Sequence, residues 1–252
     1  MAYVFPDGFK IGGVTSSSLS LIMIDKDIPA MPEIEEQAEE MPGIDGGYDF
    51  GVRYKPKIIE VKVRILNSPT KSAYNDAVRR LTAVLNPRLG SQELAFDDDP
   101  SVLYYARISE TFNPKRMALI SEEFTLTFIC YDPFTYAATE KNVSLTGSSV
   151  VINHLGSHVS RPTLTINKTA GVGTVKIVYS DSSTETISFN SSSPAGTYII
   201  NGKEKTSLLS SGSGAYKYID NEIYFEMQPG NNTISKTGSI TDVAIKYRDT
   251  WL

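Results

Sequence analysis

His154 and His158 are the only histidines in the chain, and their i, i+4 spacing is that of two metal ligands on one face of a helix. Gly156 falls between them and Pro162 follows, which argues against that helix. No third ligand stands nearby, so the pair reads as part of a surface loop. Neither histidine has a nucleophile in a recognisable motif, and no Gly-x-Ser-x-Gly elbow occurs. Asp97-Asp98-Asp99-Pro100 offers carboxylates to calcium but lacks the spaced ligands, central glycine and distal glutamate of a calcium loop; it reads as a turn. Gly8, Gly12, Gly13, Gly43, Gly46 and Gly47 do not have the spacing of a phosphate-binding loop. Cys130 lies on the apolar side of its segment, as a buried structural thiol does. No pair of carboxylates can be assigned acid and base roles. The expectation is a protein that is not an enzyme, with no catalytic, cofactor-binding or metal residues and no cofactor.

Two further groups could recognise a partner. Tyr216 and Tyr218 belong to an aromatic-rich stretch with Tyr179, Phe189, Tyr198, Tyr224 and Phe225. Aromatics on a β-sandwich can stack on sugars, although their alternation with polar residues is also what a sandwich core requires. The second group is acidic. Asp25, Asp27, Glu33, Glu35, Glu36, Glu39, Glu40, Asp45 and Asp49 face the single base Lys26 across 25–49, and Pro29, Pro32 and Pro42 interrupt the run. Such a stretch has too little apolar surface for a core. It reads as a long loop or extended arm: solvated, docked on a neighbouring subunit, or lining a channel.

The elements that must carry these groups are β-rich. Ile59, Val61, Val63 and Ile65 alternate with Glu60, Lys62 and Arg64, the period of a half-buried strand. Ser68-Pro69 is expected to open a helix. Tyr74, Ala77, Val78, Leu81 and Leu85 form its apolar stripe, and Asn86-Pro87 ends it. Strands are expected over 93–96, 102–109 and 124–131. Beyond a boundary near 136–141 the chain is rich in Ser, Thr, Gly and Asn. Strands over 163–166, 175–179, 186–189, 198–200, 223–227 and 243–247, with no helical stripe, predict an antiparallel sandwich or jelly roll. The domains are thus 1–136, with the acidic arm or loop at 25–49, and 137–252. At 252 residues with 40% hydrophobic and 21% charged content, the chain can fill both cores. The net charge of −5 argues against a phosphate-clamping nucleic-acid binder. No apolar run is long enough to cross a bilayer, the start lacks the features of a secretory signal, and one cysteine excludes an internal disulfide.

In order, Met41-Pro42-Gly43-Ile44-Asp45-Gly46-Gly47, Cys130-Tyr131-Asp132-Pro133-Phe134, Asn153-His154-Leu155-Gly156 with Arg161-Pro162-Thr163-Leu164-Thr165-Ile166, Gln228-Pro229-Gly230-Asn231-Asn232 and Tyr247-Arg248-Asp249-Thr250-Trp251-Leu252 resemble motifs of the distal tail proteins of long-tailed bacteriophages. The resemblance spans nearly the whole chain. It implies a mainly β fold: a ring-forming leading domain, built as a β-sandwich with one helix, and then a galectin-like β-sandwich. It implies a structural virion protein at the distal end of the tail, made and assembled in the bacterial host cytoplasm. There a homohexameric ring would join the tail tube protein to the tail-tip hub, meet the tape measure protein, surround the genome-exit channel and dock receptor-binding or baseplate proteins. Genome would pass without specific nucleic-acid binding, and no membrane insertion is implied. Under that reading Glu33, Glu35, Glu36, Glu39, Glu40, Asp45 and Asp49 lie at an inter-subunit contact or face the channel. The alternative is a carbohydrate-binding module for cell-wall glycans, with Tyr216 and Tyr218 as its contacts.

Overall fold

The computed structural model describes residues 8–40, 42–43, 45–66, 69–221 and 223–252. Contacts divide the chain into two compact units, Met1–Thr135 with Leu252, and Tyr136–Trp251. Most described residues are in strands, and one α-helix is present among them.

In the leading unit the strands are β1 (Phe9–Ile11), β2 (Val14–Thr15), β3 (Leu21–Asp27), β4 (Ile34–Glu40), β5 (Gly47–Tyr54) and β6 (Lys57–Ile65). Helix α1 (Lys71–Val84) follows, then β7 (Gln92–Phe96), β8 (Asp99–Ile108), β9 (Arg116–Met117), β10 (Ile120–Ser121) and β11 (Phe124–Cys130). The main sheet runs β2-β1-β7-β8-β11-β6-β3. Next to its β3 edge lies β6, where Ile59, Val61, Val63 and Ile65 are fully buried while Glu60 and Lys62 face out. β11 pairs antiparallel with it from Phe124 opposite Val63 to Cys130 opposite Lys57. Helix α1 buries Tyr74, Ala77 and Leu81 in the same core, and Leu85 closes the stripe. Each such side chain contributes about 1.5–3 kcal/mol when fully buried, less for alanine.

The start of the helix differs from expectation. Ser68 lies outside the described residues; the cap is Thr70, whose hydroxyl accepts from the Ala73 N–H at 3.1 Å. Pro69 therefore precedes the cap instead of occupying the first helical turn. Met1–Asp7, Met41 and Ile44, on which the reading of the start and part of one resemblance motif rest, also lie outside the described residues. The triple aspartate does turn the chain, and all three carboxylates are already engaged, Asp99 accepting from the Ser101 N–H and hydroxyl. Asp97 accepts from the Gly8 N–H, and Asp98 is ion-paired to Lys26 at 2.5 Å.

β12 (Thr135–Ala137) opens at the division. The second unit then contains β13 (Lys141–Leu145), β14 (Ser149–His154), β15 (Thr163–Val178), β16 (Thr184–Phe189), β17 (Gly196–Asn201), β18 (Thr206–Leu209), β19 (Gly230–Tyr247) and β20 (Thr250–Trp251). Residues 163–166 and 175–179 were expected as separate strands, but both fall largely on β15, a single strand of 16 residues. Its partner β19 has 18 residues and absorbs both Asn231-Asn232, expected in a turn, and 243–247. Residues 223–227 do not form a ladder strand; within them only Met227 bridges, to Ser160.

The two long strands pair with each other through a register shift between Asn167 and Gly173. On one side of the shift they pair with β14 and β16, on the other with β13 and β17, and β18 extends the latter side. Strands that pass from one sheet to the other at a bulge make the corner of a sandwich. Gly173 and Gly238 stand opposite each other at that corner. Gly238 has φ +69°, and a Cβ there would lie 2.6 Å from the Val172 carbonyl oxygen. Lys168 is buried beside the shift. Its Nζ donates to the carbonyls of Thr169 and Gly171 and to Ser193 Oγ at 2.7–2.9 Å. Burial lowers its pKa. The core joins Ile166, Val175, Phe189, Tyr198, Ile234 and Val243, with the Phe189 and Tyr198 rings edge-to-face at 4.9 Å.

Candidate assembly surface

The acidic segment is a β-hairpin. β4 and β5 pair only with each other, as a two-stranded ribbon. The sequence had pointed to a loop or arm because a ribbon exposed on both faces shows no apolar alternation. The register sets Ile34 opposite Tyr54 and Glu36 opposite Val52, then Ala38 opposite Asp49 and Glu39 opposite Tyr48. β5 thus carries an extra residue at Phe50-Gly51, a bulge that twists the ribbon. Gly51 takes φ +93°, and Asp49 Oδ1 accepts the Gly51 N–H at 2.7 Å.

At the base, the Lys55 N–H donates to the Glu33 carbonyl and Lys55 Nζ pairs with the Glu33 carboxylate at 2.6 Å. The hydrogen bond that Lys55 donates to Glu33 holds the Lys55 pKa above its usual value. Tyr54 packs edge-on against Phe134, with ring centroids 6.3 Å apart. Beyond this anchor neither face is covered: Phe50 is 63% and Val52 60% exposed, and Ile34 and Tyr48 are exposed as well. Glu33, Glu35, Glu36, Glu39, Asp45 and Asp49 are exposed, and the backbone of Glu40 pairs with Gly47. Across 33–55, seven carboxylates stand against Arg53 and Lys55, a net of −5 that equals the charge of the whole chain. The structure therefore brings the sequence-selected acids together on one ribbon, interleaved with apolar side chains that the sequence reading had not singled out.

The other selected residues are dispersed. Tyr216 and Tyr218 flank a single 3-10 turn. Tyr216 is 65% exposed, whereas Tyr218 packs edge-on against the buried Tyr198 at 6.4 Å. They do not form a row.

His154 is not in a surface loop. It ends β14 and is buried, with Nδ1 at 2.9 Å from Asp249 Oδ1 and Nε2 at 2.7 Å from the His158 carbonyl oxygen. The partner that sequence reasoning missed is Asp249, which is 95 residues away in the chain. It also accepts from Lys141 Nζ at 2.5 Å and from the Leu155 N–H at 3.0 Å. Burial pushes the Asp249 carboxyl up, but the hydrogen bonds from Lys141, His154 and Leu155 outweigh it and hold the group below the usual carboxylate range. Both ring nitrogens of His154 are engaged, so the cluster is a clip that ties β13, β14 and the segment before β20 together. Among the described residues, no group of three or more His, Cys, Asp or Glu could hold a metal ion. Burial pushes the Cys130 thiol up to about 12.

Residues 17–130, most of the unit that bears the hairpin, match the family described as phage tail protein RIFT-related domain. The leading unit is thus similar to a phage tail domain. No curated protein matches the chain. The crystal structure of the SPP1 Dit (gp 19.1) protein, described as a paradigm of the hub adsorption apparatus in phages infecting Gram-positive bacteria, is similar with a TM-score of 0.80. It is 18% identical, and the match covers 98% of this chain and 100% of that one. A chain of the phage P2 baseplate in its activated conformation is similar at TM-score 0.54 and 11% identity with calcium. The strontium form gives 0.53 and 10%, and both matches cover 96% of this chain and 98% of the other. The match to a phage tail domain therefore lies in a chain whose fold, over nearly its whole length, is similar to that of the SPP1 Dit protein.

Proposed function

We propose that this protein is a structural component of the phage tail tip, forming a homohexameric ring through its leading unit. The ring joins the tail tube to the tail-tip hub and tape measure protein and surrounds the genome-exit channel. The second unit projects as a galectin-like sandwich that docks receptor-binding or baseplate proteins. The observation that carries this reading is the likeness to the SPP1 Dit fold over 98% of the chain. The exposed hairpin supports it, since a closed ring needs head-to-tail contacts between unlike surfaces and a free two-stranded ribbon is suited to supply one side of them. An acidic surface beside the lumen repels phosphate and lets DNA pass without sticking. The non-enzymatic role agrees with the clip at His154, whose ring nitrogens are spent on Asp249 and a carbonyl.

Negative-stain images of the purified protein at micromolar concentration, with copy counting in intact tail tips, test the proposal. Six-fold annuli and six copies per tip are expected. A single copy per tip, or an assembly with no central opening, would refute it.

A further inference from the structure

In the leading unit β8 outruns its neighbour. β7 begins at Gln92, opposite Ala106, so the backbone of Ile108 meets no β7 residue on that side. On its other side β8 is still paired: Arg107 stands opposite Ile129 and Ile108 opposite Phe128, and the Ser109 N–H donates to the Thr127 carbonyl at 2.9 Å. A strand open on one side offers its N–H and C=O groups to another chain. A groove of about 510 Å³ runs along this open edge, a size that suits a ligand.

The two walls of the groove differ. Ile108 and Phe128 are buried in the core that α1 covers, and on that side the end of the helix and the residues after β8 supply Leu85, Pro87 and Phe112. The Phe112 ring is held by stacking on Phe124, with centroids 5.9 Å apart. Arg107 and Ile129 alternate with the buried pair and so stand on the opposite face, beside the exposed Tyr131. Arg107 is a cation without a counter-ion. Its Nη2 donates to Tyr131 Oη at 3.1 Å and its guanidinium lies 4.9 Å from the Tyr131 ring centre. Its Nε, however, is buried with no acceptor, and among the described residues no carboxylate pairs with it. The one acid in the lining, Glu110, accepts instead from the Thr127 hydroxyl at 3.4 Å.

We propose that this edge takes an extended segment of a partner polypeptide as an added strand, one in which apolar and acidic side chains alternate. The backbone of the segment pairs with Ile108. Its apolar side chains enter between Leu85, Pro87 and Phe112, and the acidic side chain between them reaches Arg107. Successive side chains of a strand point to opposite faces, so the alternation matches the two walls, and the pockets for alternate side chains give the selectivity. Tyr131 swings aside to bare Nε, and a carboxylate on the guanidinium makes the stronger, charge-assisted kind of hydrogen bond. The site is complete in one copy of the chain and does not depend on ring formation.

The test uses full-length protein and four fluorescein-labelled heptapeptides, Gly-Thr-Xaa-Glu-Xaa-Thr-Gly amides with Leu, Ile, Val or Phe at Xaa, read by fluorescence anisotropy. Saturable binding at about 10–500 μM is expected for at least one of them. Glutamine in place of its glutamate weakens binding about tenfold. Arg107→Glu protein loses the glutamate peptide and gains the lysine version. Methylating the backbone nitrogens of alternate peptide residues, one set at a time, weakens binding for one set only, because an added strand pairs through every second residue. Thr82→Trp, at an exposed helix position on the rim, fills the groove and abolishes binding. Circular dichroism confirms that both protein variants are folded. The proposal is overturned if no peptide binds saturably, or if binding survives Arg107→Glu or Thr82→Trp, which places the peptide elsewhere. It also falls if sedimentation shows self-association that Thr82→Trp abolishes and no peptide competes with, since the occupant is then a second copy.

Discussion

Replacing Asp249 with alanine tests whether the clip holds the second unit together. Asp249 is 3% exposed, and its two oxygens receive Lys141 Nζ at 2.5 Å, His154 Nδ1 at 2.9 Å and the Leu155 N–H at 3.0 Å. Truncation leaves the His154 ring and a backbone donor without their acceptor, and losing hydrogen bonds to a buried carboxylate at about 1.5–3 kcal/mol each costs roughly 3–5 kcal/mol together. The Lys141 side chain is 36% exposed, so its own share is screened and amounts to about 0.5–1 kcal/mol. For a unit of this size roughly 4 °C is lost per kcal/mol, so the transition of the second unit should fall by about 12–20 °C in Asp249→Ala. Lys141→Met should lower it by only about 2–4 °C. Differential scanning calorimetry measures both. The pH dependence has a definite sign: the folded carboxyl is held below its unfolded value. Its contribution is therefore complete above about pH 4 and fades as pH falls through the depressed folded pKa. Asp249→Asn should remove that acid-side loss. A shift below about 3 °C in Asp249→Ala, or an unchanged acid limb in Asp249→Asn, would refute the clip as a stabilising element.

Two further outcomes follow from burial and backbone geometry. Gly238→Ala places a methyl 2.6 Å from the Val172 carbonyl oxygen at φ +69°. It should destabilise the second unit by about 1–3 kcal/mol in urea unfolding, whereas alanine at Gly147, where nothing lies within 4 Å, serves as the neutral comparison. Cys130, fully buried with its thiol pushed up to about 12, should resist a charged thiol reagent at pH 8 in native protein and react at once in guanidinium.

Much of the leading unit could be read from side-chain periodicity. The alternation of Ile59, Val61, Val63 and Ile65, and the stripe from Tyr74 to Leu85, each reflect a single buried face, and the structure buries those faces. The cap moved to Thr70 because the hydroxyl nearest the first turn wins the Ala73 N–H. The hairpin was obscured because a ribbon with two solvated faces needs no apolar alternation; its only local signals are the bulge pair Phe50-Gly51 and the carboxylate of Asp49. β15 and β19 each looked shorter than they are, because the glycines and polar residues at 167–173 and 237–241 form a bend and not an end. The His154 clip was hidden for another reason: Gly156 and Pro162 made the histidines read as a surface loop, while the fold brings Asp249 to His154 from 95 residues away.

The shared corner gives the second unit a thermodynamic character of its own. Each layer of the sandwich takes half of its hydrogen-bonded ladder from the same pair of strands, so neither layer can peel off and leave the other intact. Local opening at Gly173 and Gly238 would expose the inner faces of both layers, and so the one core they share, at once. Slowly exchanging amides should therefore appear on both arms of β15 and β19 with one common protection free energy, the mark of a single foldon. Such indivisibility suits the docking role proposed for this unit.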